Sequence, residues 1–164
     1  KLMCGSCLEP ENLEILMAGE KARILNTDPP YNLKTSFFSG NGDINHKDFA
    51  MGAGEMSDDE FVDFIEKIMQ GAKAHTCDGS IHYIFMDFRH SWHMGEASRK
   101  VYGSPVPKQM CVWVKDVAAN GSFYRAQHEL CFIYKNGEAR HISHIDLMDR
   151  FRSNVWQYAG ANSW

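Results

Sequence analysis

The chain has 164 residues, is 44% hydrophobic and 23% charged, and carries a net charge of −4, a size and mix that suit one globular domain with a sizeable core. No apolar run is long enough to cross a bilayer, the first residues do not read as a basic-then-apolar leader, and five irregularly spaced cysteines favour a reduced, cytoplasmic setting. The first 80 residues hold seven Lys/Arg and fourteen Asp/Glu while the rest hold ten and seven, so the second half is basic enough to allow a phosphate-binding face without demanding one.

In chain order, Leu13, Leu16 and Met17 share a helical face that Gly19 ends. Residues 22–27 (ARILNT) read as a short buried strand, and the next residues, Asp28-Pro29-Pro30-Tyr31, break it. The stretch from Asn32 to Met56 is rich in Gly, Asn, Asp and Ser, and a segment of that length without periodicity reads as disordered or as a functional loop. Ser57-Asp58-Asp59-Glu60 has the form of a capping box, and Phe61, Ile65, Ile68, Met69 and Ala72 continue it as the buried stripe of a helix. A strand over 81–86 (IHYIFM), a helix over 89–102 ended by Gly103 and Pro105, and strands over 110–114 and 130–134 follow. The tail from Ile142 shows no clear period. Strands alternating with helices predict an α/β layer structure with a largely parallel sheet and an antiparallel pair at one edge.

No metal site is expected. Cys4 and Cys7 form a C-x-x-C with no second pair to complete it, and the H-x-x-H pairs His90/His93 and His141/His144 lack an acid or thiol at ligand spacing. Trp92, Trp113 and Trp156 read as core residues rather than stacking platforms.

The break after the first strand is the informative stretch. Two adjacent prolines have fixed φ and no N–H, so they hold the backbone stiffly out of the strand. Ligands in open α/β sheets bind beyond the carboxyl ends of strands, which is where this turn lies. An exocyclic amine on an aromatic base is a poor nucleophile, because its lone pair is delocalised into the ring. Two acceptors aimed at its N–H bonds, the Asp28 carboxylate and the Pro29 carbonyl, would draw that nitrogen towards a tetrahedral, nucleophilic state. Tyr31 offers a face on which an extruded base can stack. The bland reading is that Asp28 caps the turn locally and Pro29, Pro30 and Tyr31 only pack.

These residues resemble the [D/N/S]-P-P-[Y/F/W] tetrapeptide of the amino-methyltransferases that modify exocyclic amines of DNA bases, among which DPPY is commonest in adenine-N6 enzymes. The block WVKDVAANGSFYRAQHELCFIYKNG, from Trp113 to Gly137, and the segment Arg152-Ser153-Asn154-Val155-Trp156 with Tyr158 and Gly160 are similar to later segments of that family. The resemblance covers nearly the whole chain. It implies a Rossmann-like methyltransferase sheet, incomplete here, with residues 1–164 as the catalytic, N-terminal portion of a domain whose cofactor motif F-x-G-x-G would come afterwards. Phe38-Ser39-Gly40-Asn41-Gly42 has the letters of that motif but lies in the loop after DPPY, without its strand-turn-helix context.

The resemblance further implies methyl transfer from S-adenosylmethionine to the exocyclic amine of a flipped base in double-stranded DNA, most readily adenine N6, as in restriction-modification. Asp28, Pro29, Pro30 and Tyr31 would be catalytic, and Cys4, Gly5, Ser6 and Asp28 would lie at the cofactor. Lys34, Tyr124, Arg125 and His128 would meet the nucleic acid, with Lys47 a further candidate. The family often has C-G-D where this chain has Cys4-Gly5-Ser6, and a Gly where it has Ala119. Alternative readings are cytosine-N4 specificity, an RNA or protein-amide methyltransferase, and an inactive nucleic-acid-binding fragment or half of a split enzyme completed by another chain.

Overall fold

The structure is a computed structural model that describes residues 1–34, 51–119, 123–141 and 151–159. Its elements are α1 (Pro10–Met17), β1 (Ala22–Thr27), α2 (Asp58–His75), β2 (Thr76–Met86), α3 (Ser91–Tyr102), β3 (Gln109–Val114), β4 (His128–Lys135) and β5 (Val155–Gln157), with a 3-10 turn at Phe88–His90 before α3. Residues 35–50, 120–122, 142–150 and 160–164 lie outside the description, and with them Phe38–Gly42, Lys47, His144 and Gly160.

Helix α1 starts at a proline, which suits its first turn, and ends where Ala18 and Gly19 take left-handed backbone. Helix α2 starts at the capping box: Ser57 accepts from the Glu60 N–H, and the Glu60 carboxylate accepts from the Ser57 N–H at 2.9 Å. Asp58, Asp59 and Glu60 in its first turn and Lys73 and His75 in its last oppose the helix dipole favourably. Phe61, Val62, Phe64, Ile65, Ile68, Met69 and Ala72 are buried along its inner face. Gly103, at φ 77°, ends α3 with its N–H bonded to the Arg99 carbonyl.

The five strands lie in the order β1-β2-β4-β3-β5. β1 and β2 are parallel, β4 is antiparallel to both β2 and β3, and β5 runs parallel to β3. The antiparallel pairing is therefore internal to the sheet, and the edge beyond β3 is the short β5, which the aperiodic tail did not announce. Strand β2 also starts five residues earlier than IHYIFM suggests, at Thr76, directly after α2.

One face of the sheet is packed under α2 and α3, with Ile84, Met86, Leu130, Phe132 and Tyr134 joined to Phe61, Ile65, Met69, Met94 and Ala97. On the opposite face Cys111, Cys131 and Ile133 gather Ile81, Tyr83, Phe85 and Trp156. Ile24, on that face of β1, remains 58% exposed. Among the described residues no strand pairs with the outer edge of β1.

A buried polar cluster closes the end of the sheet where β2 begins. The His82 ring has no exposed surface and contacts Tyr102 Oη at 2.7 Å through Nδ1 and Thr76 Oγ1 at 2.8 Å through Nε2. The Thr76 hydroxyl donates to the Ala72 carbonyl, and Asn136 Nδ2 donates to Thr76 Oγ1. The directions that satisfy every member make His82 neutral, donating from Nε2 and accepting at Nδ1.

Candidate active site

The parallel strands β1 and β2 end side by side, with Thr27 opposite Ile84. β4 enters from the same end, with Leu130 opposite Met86. The turn after β1, the residues after Met86 and the start of β4 therefore share one rim of the sheet, which is where a ligand sits in folds of this kind. At that rim Pro29 is buried, Pro30 and Tyr31 are half-buried, and Asp28 is exposed. The Tyr31 ring packs against the helix-side core, and its hydroxyl donates to Asp28 Oδ1 at 2.5 Å.

Three carboxylates act on this hydroxyl. Its ionisation is pushed far above the ordinary tyrosine value, first by burial, then by the hydrogen bond to Asp28, and further by the charges of Asp28, Glu129 and Asp87. Tyr31 is thus a permanent donor that fixes one Asp28 oxygen. Asp87 caps the 3-10 turn by accepting from the Arg89 N–H at 2.9 Å, and it grips the Arg89 guanidinium at 3.0 and 3.1 Å. The same guanidinium lies 4.5 Å over the Phe88 ring. Phe88 faces the imidazole of His128, the first residue of β4, with ring centroids 6.3 Å apart. Glu129 is paired with Lys115, whose ammonium also lies 5.1 Å over the Trp113 ring.

Asn32, the residue after DPPY, ties the far end of the 32–56 loop to the turn. It holds left-handed backbone at φ 52°, which asparagine tolerates better than most residues. Its side chain accepts from the N–H groups of Gly54 at 3.0 Å and Met56 at 3.2 Å, and donates to the Met56 carbonyl at 2.9 Å. Gly52, at φ 69°, lies so close to Pro30 that a Cβ there would come within 2.8 Å of the proline ring. Lys34 is exposed beside Gly54.

Cys4-Gly5-Ser6 forms the turn before α1. The Ser6 hydroxyl accepts from the Leu8 N–H and its carbonyl accepts from Asn12 Nδ2. The Arg125 guanidinium donates to the carbonyls of Ala119 at 2.7 Å and Ala118 at 3.1 Å, so it braces its own loop. Tyr124 is exposed on that loop. Trp92 is 56% exposed, edge-on to His93, and does not take the core position expected of it. His90 and His93 are buried together with rings 5.0 Å apart, and His93 Nε2 lies 3.1 Å from Asp58 Oδ1. Among the described residues no cluster of His, Cys, Asp and Glu is arranged to hold a metal, and no helix is long and apolar enough to cross a membrane.

Asp87, Phe88, Arg89 and Asn32 were not singled out from the sequence. For Asn32 a signal exists, a residue tolerant of left-handed backbone following a proline pair. The Asp87–Arg89 pair had none, because only the β1–β2 pairing brings it to the DPPY rim.

No protein-family model matches the sequence, and neither does any curated protein. Solved structures do match in shape. The PvuII DNA methyltransferase, which is cytosine-N4-specific, aligns over 97% of this chain at 10% identity with a TM-score of 0.61. A proposed DNA modification methylase from Thermus thermophilus aligns over 88% at 13% identity with a TM-score of 0.55. M1.HpyAVI in complex with SAM aligns over 85% at 14% identity with a TM-score of 0.52. The fold is therefore a partial Rossmann-like methyltransferase fold. The chain spans 57%, 63% and 54% of those three chains respectively.

Proposed function

We propose that this chain carries the target-base half of an S-adenosylmethionine-dependent DNA amino-methyltransferase acting on an exocyclic amine, adenine N6 in the first instance. The observation that carries the reading is the Tyr31–Asp28 hydrogen bond at the carboxyl end of β1, on a turn fixed by two prolines. With Oδ1 held by Tyr31, Oδ2 of Asp28 is left to accept an N–H of the amine, and the Pro29 carbonyl takes the other. Two acceptors on those N–H bonds draw the lone pair out of the ring and leave the nitrogen nucleophilic, and positioning supplies much of the rate. Tyr31 offers its ring face to the base.

The residues present suit the cofactor. Arg89 and Lys115 pair with Asp87 and Glu129, which leaves the exposed Asp28 carboxylate as the group that would favour a cationic sulfonium over a neutral or anionic donor. Bound S-adenosylmethionine would supply an electrophilic methyl group and leave as the neutral thioether. Asp28 is the residue assigned to it here. Cys4, Gly5 and Ser6 remain candidates on the resemblance alone, and Ser6 brings no charge to the task. Lys34 and His128 are assigned to the nucleic acid. The edge of β1 that no described strand pairs, with the exposed Ile24 beside it, is where a further stretch of polypeptide, continuous with this chain or separate, would complete the sheet.

A second reading, cytosine N4, is favoured by the shape match to a cytosine-N4-specific enzyme. Tritiated methyl transfer from labelled S-adenosylmethionine to unmethylated DNA by the full-length protein tests both, followed by nucleoside digestion. Labelled N6-methyladenine that disappears in Asp28→Ala supports the first reading, and labelled N4-methylcytosine the second. Label in RNA, or DNA labelled equally by Asp28→Ala, refutes the role given to the turn.

A further inference from the structure

Two aromatic side chains stand outside the site just described and outside the core. Phe123 is 86% exposed and Tyr124 is 88% exposed. Their rings are in contact, with centroids 4.4 Å apart and planes at 62°. Burying two such rings is worth more than almost any other surface choice, so adjacent rings left in water on a well-braced support mark a contact surface.

The support is braced. The β3–β4 ladder continues one rung beyond Val114 and His128, where the Lys115 N–H bonds to the Gln127 carbonyl at 2.9 Å. Gln127 Nε2 returns a bond to the Lys115 carbonyl at 2.7 Å, and the Ala119 N–H reaches the Ala126 carbonyl at 2.8 Å. Arg125, next to the aromatic pair, fastens the same two limbs through Ala118 and Ala119. The described limbs of the arm that carries the rings, 115–119 and 123–127, are thus tied to one another. The arm projects from the sheet end that holds Asp28, Asp87 and Glu129, two strand spacings or roughly 10 Å from β1.

We propose that Phe123, propped by Tyr124, is a wedge that enters the base stack of duplex DNA beside the target nucleotide and fills the place of the extruded base. The proposal rests on the DNA methyltransferase reading and deepens it by naming how the base leaves the duplex. A base can reach Asp28 only after unstacking, and an inserted apolar ring replaces part of the lost stacking. With planes at 62° only one ring of the pair can lie parallel to a base pair. Phe123 has no polar atom to desolvate there, which makes it the inserting ring and leaves Tyr124 to hold it from the side.

The test is fluorescence anisotropy with a short fluorescein-labelled duplex, the same duplex with one abasic site, and a copy carrying 2-aminopurine, titrated with wild type, Phe123→Ala, Phe123→Leu and Lys34→Ala. Both aromatic positions are exposed, and thermal melting checks that each variant is folded. The expected result is about tenfold weaker binding of the intact duplex by Phe123→Ala, with most of the affinity restored by Phe123→Leu. The slope of log Kd against log salt should stay unchanged for Phe123→Ala, whereas loss of a phosphate contact in Lys34→Ala reduces it by about one. The 2-aminopurine signal should rise on binding of wild type and not of Phe123→Ala.

If wild type binds DNA and Phe123→Ala binds equally well with the same 2-aminopurine signal, the wedge is wrong and the DNA reading stands. If wild type binds none of the duplexes, the DNA reading falls and takes the wedge with it. If Phe123→Ala leaves DNA binding intact but converts a sedimenting dimer to monomer, the rings belong to an interface between copies and the wedge is again overturned.

Discussion

Replacing His82 with glutamine removes a pH-dependent share of the fold's stability whose size follows from the ring's surroundings. The imidazole has no exposed surface, and burial lowers its pKa from 6.5 to about 4. At about 1.36 kcal/mol per pH unit that interval corresponds to about 3 kcal/mol. Above pH 6.5 the ring is neutral in both folded and unfolded chains, so its full contribution is present. As the pH falls, the unfolded chain takes up the proton first, and the folded ring stays neutral until the pH nears 4. Stability is therefore lost across the window from 6.5 to about 4 and levels off below it. His90, whose pKa is lowered by burial and then by His93, adds a loss of the same sign. The quantity to follow is accordingly the difference between wild type and His82→Gln, from urea unfolding at a series of pH values. That difference should shrink by about 3 kcal/mol between neutral pH and pH 4. A difference that stays constant would refute the assignment of a neutral, fully desolvated His82.

Tyr31→Phe keeps the aromatic ring but removes the 2.5 Å hydrogen bond to Asp28. Single-turnover methyl transfer by the full-length protein should slow about tenfold with DNA affinity unchanged, whereas Tyr31→Ala weakens both. Asn32→Ala loses three hydrogen bonds to the 54–56 segment and strains a left-handed backbone, for a cost of about 2 kcal/mol. Asn32→Gly recovers about half of that by relieving the backbone, as read from urea midpoints. Ser57→Ala removes the cap that opens α2 and should lower stability by about 1 kcal/mol, measured the same way.

What was legible in the sequence was local. The capping box at Ser57 and the stripe from Phe61 to Ala72 specify α2 with no help from elsewhere, and the alternation of strands with helices gave the layer class. The strand-breaking proline pair marked the turn that the structure places at the sheet rim. β5 escaped notice because Val155–Gln157 is too short to show alternation. It exists because Asn154 docks on β3, accepting at its carbonyl from the Val112 N–H and donating from Nδ2 to the Met110 carbonyl. The early start of β2 was hidden by Gly79 and Ser80, residue types common in turns. Their backbone groups instead pair with Asn136, which is buried. The rim could be read only in part, since Asp28, Asp87 and Glu129 are far apart in the chain and meet only through the pairing of β1, β2 and β4.

The connections between strands set an order in time as well as in space. β3 and β4 are joined by residues 115–127, whereas β1 and β2 are separated by residues 28–75, which include the 32–56 loop and all of α2. Closing the longer connection costs about 1 kcal/mol more chain entropy than closing the shorter one. The β3–β4 hairpin and the contiguous α2–β2 unit are therefore the segments able to organise early, with β1 docking onto β2 afterwards. The DPPY turn belongs to that late-docking strand, so Asp28 and Tyr31 are expected to reach the rim only after the surface that receives them has formed.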